Sequence, residues 1–244
     1  MTLSNAKTHT NRQVYLVATI RPWNINVYHQ TVSQFPGEWH LISDPAALTP
    51  AYVRRLAPRY IFFPHWSHIV QREILELSEC ICFHETDLPY GRGGSPIQNL
   101  IVRGHADTQI TALRMVSELD AGPVYMKRPL SLAGSAHEIF TRAAGIVGEM
   151  IGDIARTNPL PTPQQGNPEV FKRRTPKQSE ITSDIATPKK LYDHIRMLDA
   201  PEYPKAYLTV HGMRYTFKNA RLDPDTGKVI AQVSISTGDI DTND

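Results

Sequence analysis

The sequence predicts an α/β protein with a Rossmann-like, mostly parallel sheet and a short C-terminal α+β appendage. Three observations predict it. VYLVATI (14–20) and RYIFFP (59–64) are apolar and β-rich at nearly every residue instead of at alternate ones, as strands covered on both faces require. Segments with helix-start signals lie between such runs, the order expected of βαβ units. A polar, proline-rich break, NPLPTPQQGNP (158–168), then ends the alternation.

Taken in order, the first strand is 14–20, and Pro22 opens a helix through 34. EWHLIS (38–43) is a second strand, and Thr49-Pro50 supplies the cap and first residue of a helix ending near Leu56. The third strand is 59–64, a helix follows near 68–77, and ECICFH (79–84) is the fourth strand. TDLPYGRGGSP makes a loop before a helix at 96–103. Strands at 108–116 and 123–132 flank SELDAG, and Ser135 caps an amphipathic helix to about Arg156. Beyond the break come a helix near 187–198 and strands around 205–210, 213–219 and 228–235. The domain reading is therefore a flexible leader (1–12), a Rossmann-like domain (13–157), a connector (158–181) and a small C-terminal subdomain (182–244), with a frayed acidic ending TGDIDTND.

Composition narrows the functional classes. With 244 residues there is room for one sizeable domain and an appendage. A net charge of +2 with dispersed Lys and Arg argues against a nucleic-acid partner, although Lys172-Arg173-Arg174 suffices for one phosphate group. No apolar run nears the ~20 residues that span a bilayer, and MTLSNAKTHTNR lacks a signal-peptide core, so no membrane and a cytoplasmic location are expected. Cys80 and Cys82 are the two cysteines, set two apart on one strand face, a poor geometry for pairing with each other. Short strands with open edges near the C-terminus allow a homodimer.

His84 ends a buried strand directly before the glycine loop, where an open α/β sheet collects ligands. A histidine there can exchange a proton near neutral pH, although a hydrogen-bonded structural histidine fits the same pattern. Asp120 lies between two strands whose carboxyl-side loops can approach the same crevice, and an aspartate beside a histidine orients the ring. ELDAG is also good turn chemistry, so spacing leaves both readings of Asp120 open.

The stretches CFHETDLPYGRGGSPIQNLIVRG and TQITALRMVSELDAGPVYMK resemble the 10-formyltetrahydrofolate-dependent formyltransferases. Their hallmark runs Asn-x-His, Leu-Pro-x-x-Arg-Gly-x-x-Pro-Ile, Leu-Asp-x-Gly, matched here by His84, Leu88-Pro89, Arg92-Gly93, Pro96-Ile97 and Leu119-Asp120-Ala121-Gly122. The likeness continues through FKRRTPKQSEI and IRMLDAPEYPKAY. Members acting on methionyl-tRNA carry a larger C-terminal barrel, and DLPYGRGGSPIQNL is most similar to the sugar-modifying branch, including pseudaminic-acid-type enzymes.

That resemblance implies formyl transfer from 10-formyltetrahydrofolate, without metal or redox cofactor, to the amine of a nucleotide-linked amino deoxysugar. His84 would be the general base, and Asp120 would hold the imidazole tautomer and help return a proton to N10. The pterin pocket would be lined by Trp66, Ser67, His68, Ile69, Val70, Met115, Leu119 and Asp120. Trp23, Asn24, Tyr90, Arg92, Gly93, Phe171, Lys172, Arg173 and Arg174 would serve the acceptor, with Trp23 also readable as cover for the first strand and Asn24 as a helix cap. One position departs from the hallmark: Cys82 stands where the family has its catalytic Asn. A thiol is a weak donor, so Cys82 replaces the amide poorly, leaves the oxyanion to backbone N–H groups or water, or signals a changed activity such as a degenerate binder without turnover; a covalent formyl-cysteine and a plain buried apolar cysteine are the other readings. A metal-dependent hydrolase using Cys80, Cys82 and His84, with His65 or His68, is the remaining alternative.

Overall fold

The structure, a computed structural model, describes residues 12–237; the expected leader, all but its last residue, and all but the first residue of the acidic ending lie outside that range. Six strands form the main sheet: β1 (Val14–Ala18), β2 (Glu38–Ile42), β3 (Tyr60–Phe63), β4 (Glu79–His84), β6 (Asp107–Arg114) and β7 (Val124–Ser131), in the order β2-β1-β3-β4-β6-β7. The two-residue β5 (Arg92–Gly93) precedes β6 in the chain and stands apart from this sheet. β2, β1, β3 and β4 are mutually parallel; β6 runs antiparallel to β4, and β7, antiparallel to β6, returns to the direction of the other four. The expected α/β, mostly parallel architecture is thus present.

The uninterrupted apolar runs have their cause in two covered faces. Tyr15, Val17, Tyr60, Phe62, Ile81 and Phe83 face the layer formed by α1 (Pro22–Gln30) and α5 (Ala136–Thr157), with Trp23, Tyr28, Val147 and Ile151 in the same core. The alternate residues Leu16, Ala18, Ile42, Ile61, Phe63 and Cys80 pack against Val53 of α2 (Pro50–Leu56) and Ile74 of α3 (Arg72–Leu77). Fully burying one such large side chain contributes about 1.5–3 kcal/mol. This second face also receives Trp66, Val70, Cys82 and Met115.

Two local expectations change. α3 begins at Arg72, because His65 turns the chain in the left-handed region (φ 48) and Trp66 and Val70 are held against the second core, leaving 64–71 irregular. The first helix ends at Gln30, with a separate 3-10 turn at Val32–Gln34.

Backbone pairing ties the connector down in several places. Thr162 bridges Val124, and β8 (Val170–Phe171) pairs in parallel with β5. After α4 (Pro96–Val102) and the connector, α6 (Pro188–Arg196) packs on a three-stranded antiparallel sheet of β9 (Ala206–Val210), β10 (Met213–Leu222) and β11 (Val229–Thr237). No helix among the described residues is long and apolar enough to cross a membrane.

α5 starts with a reciprocal capping box: Glu138 N donates to Ser135 Oγ at 3.3 Å and Ser135 N donates to Glu138 Oε2 at 2.7 Å. Replacing Ser135 by Ala removes one half of the pair and is expected to lower unfolding free energy by about 1 kcal/mol. Urea denaturation with an unchanged m-value is the measurement that checks it.

Candidate active site

β4 delivers Cys80, Cys82 and His84 to one face, and its carboxyl end meets the loop carrying β5. His84 is buried, with Nε2 2.7 Å from the Gly91 carbonyl oxygen. A carbonyl can only accept, so Nε2 carries the hydrogen and Nδ1 is the atom left for proton exchange. Nδ1 lies 3.7 Å from Asp120 Oδ2, longer than a direct hydrogen bond. The tautomer is therefore set by Gly91. Asp120 supplies a carboxylate facing Nδ1, and that carboxylate is itself held by the Gly93 N–H at 2.9 Å.

Asp120 reaches this place by a route the alternation did not suggest. β6 runs against β4, pairing Arg114 with Ile81, and Met115 N donates to the Cys80 carbonyl near the amino end of β4. Residues 115–122 must fold back up the sheet to bring Asp120 to His84. The reversal needs a left-handed Asp120 (φ 53) and Gly122, where a side chain would collide with the Arg114 carbonyl. Asp is one of the few non-glycine residues that accept such a backbone.

Cys82 is half-buried beside this pair. Burial pushes its thiol up and the neighbouring Asp120 carboxylate adds to the effect, while burial pushes Cys80 up to about 12. Both are neutral thiols at pH 7, which disfavours an activated nucleophile and so a formyl-cysteine. The Cys80 thiol faces the carbonyls of Ile74 and Ser78. No three His, Cys, Asp or Glu side chains among the described residues are placed to hold a metal ion, so the Cys80, Cys82, His84 alternative has no geometric basis, with or without His65 or His68.

The residues expected to line the donor pocket fall into two groups. Trp66, Val70 and Met115 pack beside Cys82, whereas Ser67, His68, Ile69 and Leu119 are exposed, Ile69 at 98% and Leu119 at 72%. A cavity of about 740 Å³ lies elsewhere, between Tyr15, Phe35, Arg128 and Arg156, and none of the His84 set lines it.

Several acceptor assignments change with the packing. Trp23 is core, stacked on Phe140 at 5.3 Å. Asn24 is buried inside α1, whose cap is Arg21, so it is no helix cap. Phe171 is 2% exposed beneath the Arg103 guanidinium and cannot offer a face to a base or sugar. Tyr90 packs edge-on against Phe171 with its hydroxyl 3.0 Å from His105. Arg92 is occupied by Gln164 and Glu118, and Gly93 serves Asp120. Arg174 donates to the Gln178 carbonyl at 2.7 Å; Lys172 and Arg173 are exposed.

Three residues escaped the sequence reading. Glu85, directly after His84, has its carboxyl pushed up by burial, an effect His84 opposes, and it borders a void with Asn24 and His65. Its position beside His84 was a usable signal. Tyr203, whose hydroxyl is 3.1 Å from His65 Nε2, is pushed up to about 12 by burial. Gln164 sits in the connector, where no periodicity marks a residue as inward.

Comparison with known proteins bears on this geometry. Residues 176–236 match the family model of the methionyl-tRNA formyltransferase C-terminal domain. A solved structure of a methionyl-tRNA formyltransferase from Clostridium thermocellum is 41% identical, covering 93% of this chain and 100% of that one with a TM-score of 0.87. The chain belongs to the methionyl-tRNA formyltransferase-like family. The methionyl-tRNA formyltransferase of Wolinella succinogenes is 30% identical over 149 residues, 59% of this chain and 48% of that protein, so the matched region spans about half the length of this relative. A 4-N formyltransferase from Francisella tularensis, 14% identical over 90% of this chain and 96% of that one with a TM-score of 0.62, shares the fold.

His65 offers a pH test of the packing around this family site. Burial, with Arg21 adding to it, lowers its pKa to about 3 from an ordinary value of 6.5. A depressed folded pKa means stability that is fully present above about pH 6.5 and lost as pH falls toward 3. His65→Asn, which tolerates the left-handed backbone, is expected to flatten the fall of unfolding free energy over that window. Equal slopes for both proteins in urea titrations at stepped pH would contradict the assignment.

Proposed function

We propose that this chain transfers a formyl group from 10-formyltetrahydrofolate to a primary amine, with His84 Nδ1 as the base. The observation that carries the reading is the pinned His84. Its Nε2 is committed to Gly91, its Nδ1 is left open, and the half-buried Asp120 carboxylate lies 3.7 Å from that nitrogen. A neutral imidazole so held accepts a proton from an attacking amine, worth roughly a hundredfold to ten-thousandfold. The Asp120 carboxylate stabilises the imidazolium that results and aids return of the proton toward the leaving nitrogen.

The donor supplies a formyl carbon on an amide-like nitrogen. The residues present suit a flat, partly apolar ring: Trp66 and Met115 form a wall, and exposed Ile69, Val116 and Leu119 offer apolar surface at the rim. Where the family hallmark has an amide, the neutral Cys82 thiol is a weak donor, and losing one strong donor typically costs about a hundredfold to a thousandfold.

For the acceptor, the reading is the amine of a nucleotide-linked amino sugar. The exposed cations of Lys172 and Arg173, following the β8 strand that pairs with the glycine loop, suit its diphosphate. The pseudaminic-acid type is one member of that class. A second reading, methionyl-tRNA, is favoured by the names of the two relatives and of the C-terminal family model. A degenerate protein that binds without turnover is the third outcome the same experiment separates.

Purified protein would be given 10-formyltetrahydrofolate with a panel of UDP- and dTDP-linked amino sugars and, separately, charged methionyl-tRNA. Mass spectrometry would follow addition of one formyl group. Product on a sugar amine supports the first reading, product on tRNA replaces it, and product on neither rejects turnover with these acceptors. His84→Ala is expected to abolish formylation. Cys82→Asn is expected to retain or raise it, and a fall would assign a role to the thiol or its size.

A further inference from the structure

Asp120 is held in place by a residue that touches neither reacting nitrogen. Gln164 Nε2 donates to the Asp120 carbonyl at 2.7 Å and to the Gly122 carbonyl at 2.9 Å. Its Oε1 accepts from Arg92 Nε at 3.1 Å and from the same guanidinium's second nitrogen at 2.9 Å. An amide has two N–H donors and an oxygen with two lone pairs, so the whole capacity of Gln164 is used. Arg92 continues the network to Glu118 at 3.1 Å.

The loop needs such a hold. Asp120 sits at a positive φ, which costs free energy for a residue with a Cβ. Leu119, beside it, is 72% exposed, so apolar burial at that position does not anchor the turn. What fixes 118–122 is polar: Glu118 on Arg92, the carbonyls of Asp120 and Gly122 on Gln164, and the Asp120 carboxylate on Gly93.

We propose that Gln164 is a positioning residue for Asp120: together with Arg92 it clamps the 118–122 loop and so sets the distance between the Asp120 carboxylate and His84 Nδ1. The inference rests on the reading of His84 and Asp120 as the reacting pair, and adds to it a connector side chain 44 residues from Asp120. Gln164→Ala removes both donors and the acceptor. Gln164→Glu keeps the size and a partner for Arg92 but cannot donate to either carbonyl, which guards against loss of the fold in the smaller variant.

Amide hydrogen exchange of the full chain, without substrate, is one arm of the test. Both variants are expected to exchange faster across 118–122, with β3 and β4 unchanged. The other arm is a kinetic cycle. A displacement of about 1 Å in a catalytic group costs about a hundredfold, so kcat is expected to fall by roughly that factor with KM for both substrates unchanged. In an Asp120→Asn background the same substitutions are expected to change kcat by less than about twofold, because a residue acting through a carboxylate is silent once it is gone. Unchanged exchange in the loop, or an equal kcat loss in both backgrounds, overturns the proposal. If the unsubstituted protein formylates no amine, the transferase reading falls and the exchange arm alone decides the clamp.

Discussion

The hydrogen bond from His84 Nε2 to the Gly91 carbonyl, 2.7 Å long, is the constraint on which the rest of the site depends. It selects the tautomer, turns Nδ1 toward Asp120, and adds a side-chain tie between the end of β4 and the glycine loop. For that carbonyl to face the ring, Gly91 must adopt φ 77 with Phe171 and Thr86 packed where a side chain would stand. The fully buried Phe171 is therefore part of the site's support, although it offers no surface to a ligand. β5 and β8, only two residues each, matter for the same reason: their pairing carries the connector to the glycine loop and fixes both Gly91 and Gly93.

The candidate site thus has two supports of different kinds. β4 is held by apolar burial on both faces, where Ile81 and Cys80 are almost inaccessible. Asp120 is held by polar contacts in a loop that buries little apolar surface. Apolar packing is non-directional and tolerant, whereas hydrogen bonds fix position within tenths of an ångström. His84 is placed by the core, and Asp120 by a small set of directional bonds.

The same division explains what could be read from the sequence. The strands β1, β3 and β4 declared themselves because burial on two faces leaves a continuous apolar run, and α5 did so through its Ser135 cap and amphipathic pattern. His84 and Asp120 were legible through the dispersed hallmark around them. The route by which they meet was not, since apolar pattern carries no strand direction and the antiparallel β6 depends on pairing partners distant in sequence. Phe171 reads as ligand-facing, and Trp23 either so or as cover for the first strand, because an aromatic residue looks alike in a core and in a pocket. Arg92, Gly93 and Arg174 likewise have partners within the chain that their residue types could not announce. Gln164 was unreadable for a stronger reason: in a polar connector, one amide among many becomes structural only when folding sets two carbonyls and a guanidinium around it.

Cys82 shows where such reasoning sharpens chemistry. In isolation a cysteine beside a catalytic histidine suggests a nucleophile, and thiolates do form beside cationic partners. Here the nearby charge is the Asp120 carboxylate, and burial acts in the same direction, so both influences favour the neutral thiol. The carboxylate that faces His84 Nδ1 thereby suppresses a thiolate at Cys82.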